Sequence, residues 1–311
     1  MIRCLKNQIP NCDLHYLTKK KFHSLLEHNP HLTKIHLFDD NFISTFQSLR
    51  KEDFDVIIDL HYNIRSKLFS MFLNKPTYSF DKENFNKWLY VVTKRDRLPK
   101  THIVDRYMES TKTLGVINDY KGLEFFPCEC ERLDKTDLPD HFVDSNFIIF
   151  SIGGTHFTKR MPTNKWLEIL TKVPFPVILI GGMEDLVEGN RIALSPVGKD
   201  RIIWNACGKL TIGGSANLIK MSSLVISHDT GMMHIAAAYK KPIISIWGNT
   251  SPRFGMFPYL TKNFNLEVNK LNCRPCSKIG FSKCPEGHFN CMIKQDTNNP
   301  GMLQFIHQAI S

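Results

Sequence analysis

The fold of this chain is decided by residues 225–258, which read VISHDTGMMHIAAAYKKPIISIWGNTSPRFGMFP. Their pattern predicts a buried strand over Leu224–Ser227, a short helix over residues 232–239 and a second buried strand over Pro242–Trp247. Because parallel strands of an open α/β sheet end at the same edge, both strands deliver polar loops to one rim, where such folds bind ligands. The sequence therefore predicts a ligand site at the carboxyl edge of a parallel sheet.

The turn between the first strand and the helix reads Asp229-Thr230-Gly231. It places the backbone N–H groups of Thr230, Gly231 and Met232 at the start of the helix. The first N–H groups of a helix have no partner within it, and the helix dipole is positive there, so this end attracts a phosphate or pyrophosphate. His234 lies one turn further along, where it either reaches the anion or orients Asp229.

Three further loops follow predicted strands in the same half of the chain. They are residues 152–162, which read IGGTHFTKRMP, residues 180–185, which read IGGMED, and residues 205–209, which read NACGK. Lys159 lies at the end of the first, glycine-rich loop, so its ammonium group supplies a point charge to a diphosphate at the sheet edge. A lysine considered alone is more often an ordinary surface residue.

These motifs resemble the donor-site signature of glycosyltransferase family 9, the ADP-heptose:lipopolysaccharide heptosyltransferases. The signature is Asp-Thr-Gly-x-x-His-x-Ala-x-Ala at residues 229–238, followed by a strand that ends in Gly-x-Thr-x-Pro at residues 248–252. The three loops above are similar to loops of the same family, whereas residues 58–66 and 102–107 match it more loosely. The resemblance implies the GT-B architecture, in which two doubly wound Rossmann-like α/β domains face a cleft.

The resemblance also implies a function and a set of site residues. The function is that of an inverting glycosyltransferase that moves heptose, or a related sugar, from an ADP-sugar donor to a lipopolysaccharide core acceptor. In this interpretation Asp229 accepts hydrogen bonds from sugar hydroxyls, Thr230 contacts phosphate and Glu184 holds the ribose hydroxyls. The complete predicted donor site comprises Lys159, Glu184, Asp229, Thr230, Gly231, Met232 and His234.

The general base of this family is an Asp in a Gly-Asp turn that follows the opening strand of the first domain. This sequence begins directly in a predicted helix over Met1–Gln8, so we expect the base to lie upstream of Met1. Two alternatives stay open: a catalytically impaired sugar-nucleotide-binding protein, and another GT-B enzyme that uses a UDP-sugar. Preference for a purine or a pyrimidine nucleotide separates the second alternative from ADP-heptose transfer.

Strands and helices alternate in two blocks, which predicts two domains. We expect an N-terminal acceptor-side α/β domain over residues 1–140, without the family's first strand, and a C-terminal nucleotide-sugar-binding α/β domain over residues 141–298. Residues 299–311 are expected to form a C-terminal helix that packs back on the first domain. The polar, charged stretch Pro127–Asp140 is interpreted as a linker.

Composition restricts the location and the partners. Of the 311 residues, 42% are hydrophobic and 23% are charged. No segment approaches the roughly 18 to 20 apolar residues that span a bilayer, and no signal peptide is recognised, so we expect a cytoplasmic protein. The formal charge of +10 favours an acidic partner: nucleic acid, an anionic membrane surface or a phosphorylated substrate. Alternatively, the charge only reflects surplus lysine on a solvated surface.

Nucleic acid is the least favoured of these partners, because the sequence has no helix-turn-helix, RNA-recognition or zinc-finger pattern. We therefore expect a phosphorylated lipopolysaccharide core acceptor and peripheral contact with the cytoplasmic face of the inner membrane. Basic and aromatic residues are interleaved over residues 65–100, which form either a surface for both partners or a solvated, partly amphipathic helix pair.

No cofactor and no catalytic metal are expected. Asp53-Phe54-Asp55 has the Asp-x-Asp pattern of a metal-dependent glycosyltransferase architecture, but it precedes a predicted strand instead of ending one, so we interpret it as a loop. A separate cluster of Cys273, Cys276, Cys284 and Cys291 forms either a structural tetrahedral zinc site or free thiols. An intracellular setting argues against disulfides.

Overall fold

The computed structural model describes residues 1–310, and its chain forms two compact units. Unit 1 comprises Met1–Asn84 and Lys100–Tyr120, and unit 2 comprises Phe85–Pro99 and Lys121–Ser311. The two units have separate hydrophobic cores, and each is described by itself below.

Unit 1 contains short parallel strands and helices. The first 120 residues form, in chain order, α1 (Ile2–Gln8), β1 (His15–Lys19), β2 (Lys34–Phe38), α2 (Phe42–Arg50), β3 (Ile57–Asp59), α3 (Ile64–Leu73), β4 (Thr77–Ser79), α4 (Asn84–Thr93) and α5 (Ile103–Glu109). Strands β1 and β2 form one parallel pair, and β3 and β4 form another. A capping box between Asn63 and Ser66 explains why α3 begins at Ile64. Helix α4 belongs to unit 2 from Phe85 onward.

Unit 2 alternates strands with helices. From residue 121 the chain forms α6 (Asp140–Val143), β5 (Ile148–Ser151), α7 (Thr163–Leu170), β6 (Val177–Ile180), α8 (Leu186–Ala193), α9 (Pro196–Lys199), β7 (Ile203–Asn205), α10 (Ile212–Met221), β8 (Leu224–His228), α11 (Gly231–Ala238), β9 (Ile243–Trp247), β10 (Asn263–Glu267), α12 (Asn290–Ile293) and α13 (Pro300–Ile310). Strands β5 to β10 form one parallel sheet in the order β10-β9-β8-β5-β6-β7.

Both faces of this sheet are covered by apolar side chains. In β5, Ile148 and Phe150 belong to one core cluster, whereas Ile149 belongs to the other, as the alternation of side chains along a strand requires. Every residue of β5, β6, β8 and β9 is buried, which is typical of parallel strands with helices on both faces. The predicted α/β class with a doubly wound parallel sheet is confirmed.

The strand order reverses between β5 and β8. From β5 the chain proceeds outward through β6 to β7, and it then returns to β8 on the other side of β5 and proceeds outward through β9 to β10. The loops that follow two such neighbouring strands leave the sheet in opposite directions and open a crevice at the carboxyl edge. The topology therefore places the ligand site beside the ends of β5 and β8.

Several details differ from the sequence predictions. Helix α11 spans Gly231–Ala238, one residue earlier than predicted. The stretch Pro127–Asp140 is part of unit 2 and not a free linker, because Leu138 is buried in the core of that unit. Helix α13 is assigned to unit 2, where Met302 and Ile306 are buried, and its packing on the first domain stays a prediction. The domain limits at residues 140 and 298 remain predictions.

The expectation that the chain has no disulfide is wrong at one place. Cys128 and Cys130 form a disulfide with their Cα atoms 5.1 Å apart, a separation that disulfides commonly span. The expectation came from the cellular setting, which carries no information about the local geometry that brings two nearby sulfurs together.

Packing of the central strands should set the stability of unit 2. Ile226 of β8 is fully buried, so Ile226→Val should lower the free energy of unfolding by about 1 kcal/mol, the cost of a lost methylene and the cavity it leaves. The measurement is urea unfolding followed by tryptophan fluorescence, because all 4 tryptophans lie in unit 2. Ile202→Val is the matched control, since Ile202 is 44% exposed. Equal losses in the two variants would contradict the packing argument.

Candidate functional site

The loops that follow β5 and β8 approach each other closely. Gly154 lies in the first loop and Thr230 in the second, and a Cβ atom on Gly154 would lie 3.7 Å from Thr230 Cγ2 and 3.5 Å from Arg160 Cγ. These are ordinary van der Waals separations, so the two loops lie side by side at this point.

An ion pair joins these two loops. Lys159 Nζ donates to Asp229 Oδ2 at 2.7 Å and to the Asp229 carbonyl oxygen at 3.0 Å. Thr250, in the loop after β9, donates its hydroxyl to the same Oδ2 at 3.0 Å. The side chains of Lys159 and Asp229 are only 17% and 11% exposed, so the pair is partly shielded from water. Three strand-end loops thus meet at one carboxylate.

Helix α11 begins without a cap. Its N-cap residue, Thr230, makes no capping hydrogen bond through its side chain, and its Oγ1 lies 3.4 Å from Ser227 Oγ. Within residues 1–310, the backbone N–H groups of Thr230, Gly231 and Met232 donate to no acceptor. Nothing lies within 4 Å of the position that a Cβ atom on Gly231 would occupy. The helix start thus combines N–H groups that have no acceptor with open space beside Gly231, and N–H groups of this kind can bind an anion.

His228, the last residue of β8, is a site residue that sequence reasoning missed. Its Nε2 accepts the backbone N–H of Met161 at 2.9 Å, so Nδ1 carries the proton and donates to the Gly153 carbonyl oxygen at 3.2 Å. One buried ring thus ties both ends of the loop after β5 to β8. Burial lowers the pKa of His228 to about 4, so the ring is neutral near pH 7. The only sequence signal is a polar residue at the end of an apolar strand.

A second ion pair joins the loops after β5 and β6. Arg160 Nη1 lies 3.5 Å from Asp185 Oδ1, and Arg160 Nε donates to the Gly154 carbonyl oxygen. Asp185 Oδ2 accepts the backbone N–H of Gly182 at 2.9 Å. Burial raises the pKa of Asp185, while the Gly182 hydrogen bond and Arg160 lower it. Asp185 therefore holds both glycine-containing loops, a role that the sequence did not indicate.

The remaining predicted site residues have different surroundings. His234 is partly buried, and burial lowers its pKa, while Asp229 raises it and Lys159 lowers it, so the ring lies within electrostatic range of the ion pair. The Met232 side chain packs on the core, which leaves its backbone N–H at the helix start. Glu184 is exposed in the loop after β6, and within residues 1–310 no hydrogen bond joins it to the ion pair. The structure brings all predicted donor residues except Glu184 together around the start of α11.

Within residues 1–310, Cys273, Cys276, Cys284 and Cys291 form no disulfide. Cys273 Sγ lies 3.8 Å from His288 Nε2. Burial raises the pKa of Cys291 to about 12, with a further increase from Cys276, Cys284 and Cys273, so this thiol stays protonated near pH 7. Among residues 1–310, no three of these cysteines bring their sulfur atoms within 4.8 Å of one another. The structural zinc site stays a prediction.

These features define the class of the protein. A doubly wound parallel sheet with an uncapped helix start at its switch point is characteristic of α/β domains that bind the phosphates of nucleotides. The lysine beside that helix start adds the positive charge that a diphosphate favours.

Comparison with known proteins identifies the family. The model of Glycosyltransferase family 9 (heptosyltransferase) matches residues 42–285, which is most of the chain. The chain is 27% identical over 224 residues to lipopolysaccharide heptosyltransferase 2 of Salmonella typhimurium, a match that covers 67% of this chain and 63% of that protein. The matched segment thus spans less than two thirds of that relative. The chain belongs to glycosyltransferase family 9.

Solved structures agree with this fold. ADP-heptose lipopolysaccharide heptosyltransferase II of E. coli superposes with a TM-score of 0.71 at 18% identity, covering 99% of this chain and 92% of that chain. An E. coli heptosyltransferase with ADP superposes with a TM-score of 0.66 at 16% identity, covering 99% of this chain and 93% of that chain. At these identities the likeness concerns the fold alone, and the predicted GT-B architecture is confirmed.

The neutral state of His228 should make the stability of unit 2 depend on pH. The pKa is about 4 in the folded protein and 6.5 in the unfolded chain, so the unfolded state binds the proton more readily. The contribution to stability is complete above pH 6.5 and is lost as the pH falls toward 4, by about 3 kcal/mol in total. His228→Gln should reduce the difference between the unfolding free energies at pH 7 and pH 4.5, about two and a half pH units apart.

The measurement is urea unfolding at each pH, followed by tryptophan fluorescence. His141→Gln is the matched control, because His141 is an exposed histidine of the same unit, and this variant should keep the original pH dependence. If His228→Gln loses as much stability on acidification as the original protein, the buried neutral ring is not the group responsible.

Proposed function

We propose that this protein is an inverting glycosyltransferase that transfers heptose, or a related sugar, from an ADP-sugar to a lipopolysaccharide core acceptor. Family membership and the names of the relatives support sugar transfer of this kind. The observation that carries the proposal is the ion pair of Lys159 and Asp229 beside the uncapped start of α11. A cation and unpaired backbone donors, the two features that a sugar diphosphate needs, lie together there.

Lys159 and the helix start would share the diphosphate. An ammonium group has three donors, and Lys159 directs two of them at Asp229, which leaves the third for a phosphate oxygen. The N–H groups at Gly231 and Met232 donate to a second phosphate oxygen. Negative charge grows on the diphosphate as the bond to the sugar breaks, so donors that are already held in place stabilise the transition state without reorganising.

Carboxylates on neighbouring strand ends would hold the sugars. Asp229 Oδ2 accepts from Lys159 and Thr250, and within residues 1–310 Oδ1 accepts no hydrogen bond, so Oδ1 is the acceptor for hydroxyls of the transferred sugar. The Thr230 hydroxyl contacts phosphate at the helix start. Glu184, exposed in the loop after β6, takes the ribose hydroxyls of the nucleotide.

Gly231→Ala tests the phosphate position while preserving the fold. The added methyl group meets no protein atom within 4 Å, so the protein should fold normally, and in this proposal the group takes space that the bound phosphate needs. We expect ADP to bind about tenfold more weakly, or by about 1.4 kcal/mol, in isothermal titration calorimetry. Transfer from ADP-heptose to a lipopolysaccharide core acceptor should fall in parallel.

Gly214→Ala is the matched control for this experiment. Gly214 lies in the first turn of α10, where an added Cβ atom would make only contacts of 3.4 Å or more, so ADP affinity should be unchanged. Equal ADP affinity in Gly231→Ala and the original protein contradicts the donor site. Tighter binding of UDP than ADP points instead to a UDP-sugar enzyme, and donor binding without transfer points to a catalytically impaired binding protein.

Helix α4 provides a surface for a membrane-borne acceptor in this proposal. Phe85, Trp88 and Val92 are 69%, 54% and 57% exposed, and their spacing places them on one helix face. The exposed Arg95 and Arg97 follow directly. An apolar stripe beside cations is the pattern of helices that lie in the interface of an anionic bilayer. Among residues 1–310, no helix is both long enough and apolar enough to cross a membrane.

Trp88→Ala should weaken binding to vesicles that contain phosphatidylglycerol by several-fold, because the largest apolar group of the stripe is removed. The measurement is co-sedimentation with vesicles at low and high salt, and binding of the original protein should weaken as salt screens the arginines. Leu194→Ala removes an apolar side chain that is 68% exposed on another element and should bind as the original protein does. If vesicle binding changes neither with salt nor in Trp88→Ala, the proposed role of this surface in membrane binding is wrong.

A further inference from the structure

Two histidines and a glutamate converge in unit 1. His15 Nδ1 lies 3.2 Å from His36 Nε2, Glu52 Oε2 lies 3.8 Å from His15 Nδ1, and Glu52 Oε1 lies 4.0 Å from His36 Nε2. Among residues 1–310, no other group of three or more histidine, cysteine, aspartate or glutamate side chains brings its ligand atoms within 4.8 Å of one another. None of the three residues belongs to the proposed donor site.

The local structure explains this convergence. In the parallel register of β1 and β2, His15 pairs with Lys34, and Leu17 pairs with His36. Because side chains two residues apart share one face of a strand, Lys34 and His36 project from the same face as His15. Glu52 follows the end of α2, a helix that packs on β2. Three elements therefore direct one ligand group each at a common point.

The distances suit the ligands of a small divalent cation. Ligand atoms that a tetrahedral zinc ion holds at about 2.0–2.1 Å lie ~3.3 Å from one another. The separation of the two imidazole nitrogens already has this value, and the two oxygens of Glu52 lie 3.8 Å and 4.0 Å from one nitrogen each, so one oxygen must move inward to contact an ion held by both rings. Two imidazole nitrogens and a carboxylate oxygen are ligands that zinc, cobalt, nickel and ferrous iron accept.

The surroundings orient the ligand groups. His36 is 6% exposed, so its ring is held inside the unit. Lys34 donates to Glu52 Oε1 and leaves Oε2 toward His15. Phe54 packs edge-on against both imidazoles and covers one side of the cluster.

We propose that His15, His36 and Glu52 bind a divalent first-row transition-metal ion, with solvent completing its coordination. The side chains of His15 and Glu52 are 15% and 20% exposed, which gives an ion access from water, and the buried His36 anchors it from inside the unit. The ion links β1, β2 and the end of α2, so its role is structural. Binding stabilises the folded unit by mass action once the ion concentration exceeds the dissociation constant.

The same contacts have a metal-free interpretation, in which His15 and His36 share a neutral hydrogen bond beside the ion pair of Lys34 and Glu52. That arrangement accounts for the 3.8 Å between Glu52 Oε2 and His15 Nδ1 as a charge contact beyond hydrogen-bond reach. It also predicts no affinity for metal ions. A binding experiment therefore separates the two interpretations.

The experiment is a titration of the full chain, first stripped with chelator, with Co²⁺. Equilibrium dialysis counts the bound ions, and the absorption spectrum identifies the ligands, because thiolates add an intense near-ultraviolet band that nitrogen and oxygen ligands lack. We expect one equivalent bound through nitrogen and oxygen and displaced by Zn²⁺. Binding should be at least about tenfold weaker in His36→Gln and in Glu52→Gln. Because the end of the Glu52 side chain is partly exposed, Glu52→Gln should fold. It therefore tests the proposal even if His36→Gln fails to fold.

His23→Gln is the matched control, because His23 and Glu27 form a two-residue pair, with Nδ1 and Oε2 3.4 Å apart, in the same unit. It should bind Co²⁺ as the original protein does. Zn²⁺ should also slow amide hydrogen exchange in β1 and β2 of the original protein but not of Glu52→Gln. Equal Co²⁺ affinity in Glu52→Gln and the original protein, or Co²⁺ bound through thiolates only, overturns the proposal.

Discussion

The ion pair between Lys159 and Asp229 is the interaction on which the candidate site depends. It joins the loops after β5 and β8 where the strand order reverses, and Thr250 adds the loop after β9. Removing the lysine would leave a partly buried carboxylate with one hydroxyl donor, an arrangement that costs stability. The pair thus orders three loops and keeps an ammonium group beside the uncapped start of α11. Stability of the loops and positioning of charge are consequences of one contact.

His228 holds the loop after β5 in place, whereas Gly231 leaves open space at the start of α11. The neutral imidazole of His228 supplies a donor and an acceptor at once, so it holds both ends of the loop after β5 without the cost of a buried charge. Gly231 has no side chain and nothing near the position that one would occupy. If the proposed function holds, donors that are fixed in place would stabilise a departing diphosphate, because little reorganisation is then needed in the transition state.

The strands of the two units are stabilised in different ways. Unit 2 buries a six-stranded sheet on both faces and needs no further support for its strands. Unit 1 has only two-stranded sheets, which are marginally stable by themselves. A metal ion held by His15, His36 and Glu52 would link one of these sheets to α2, so the proposed site lies where additional cross-linking has the greatest effect.

Sequence alone determined the α/β class, the buried strands of unit 2, the helix after Asp229 and the family resemblance, because these depend on periodicity and turn residues within a short window. It also indicated that loops at strand ends meet, since parallel strands share one edge. Only the tertiary structure decided which side chains pair: Lys159 with Asp229, 70 residues apart, His228 with the backbone of a distant loop, and His15 with His36 and Glu52. Such pairs depend on strand order, register and packing between distant segments, and no local pattern records them.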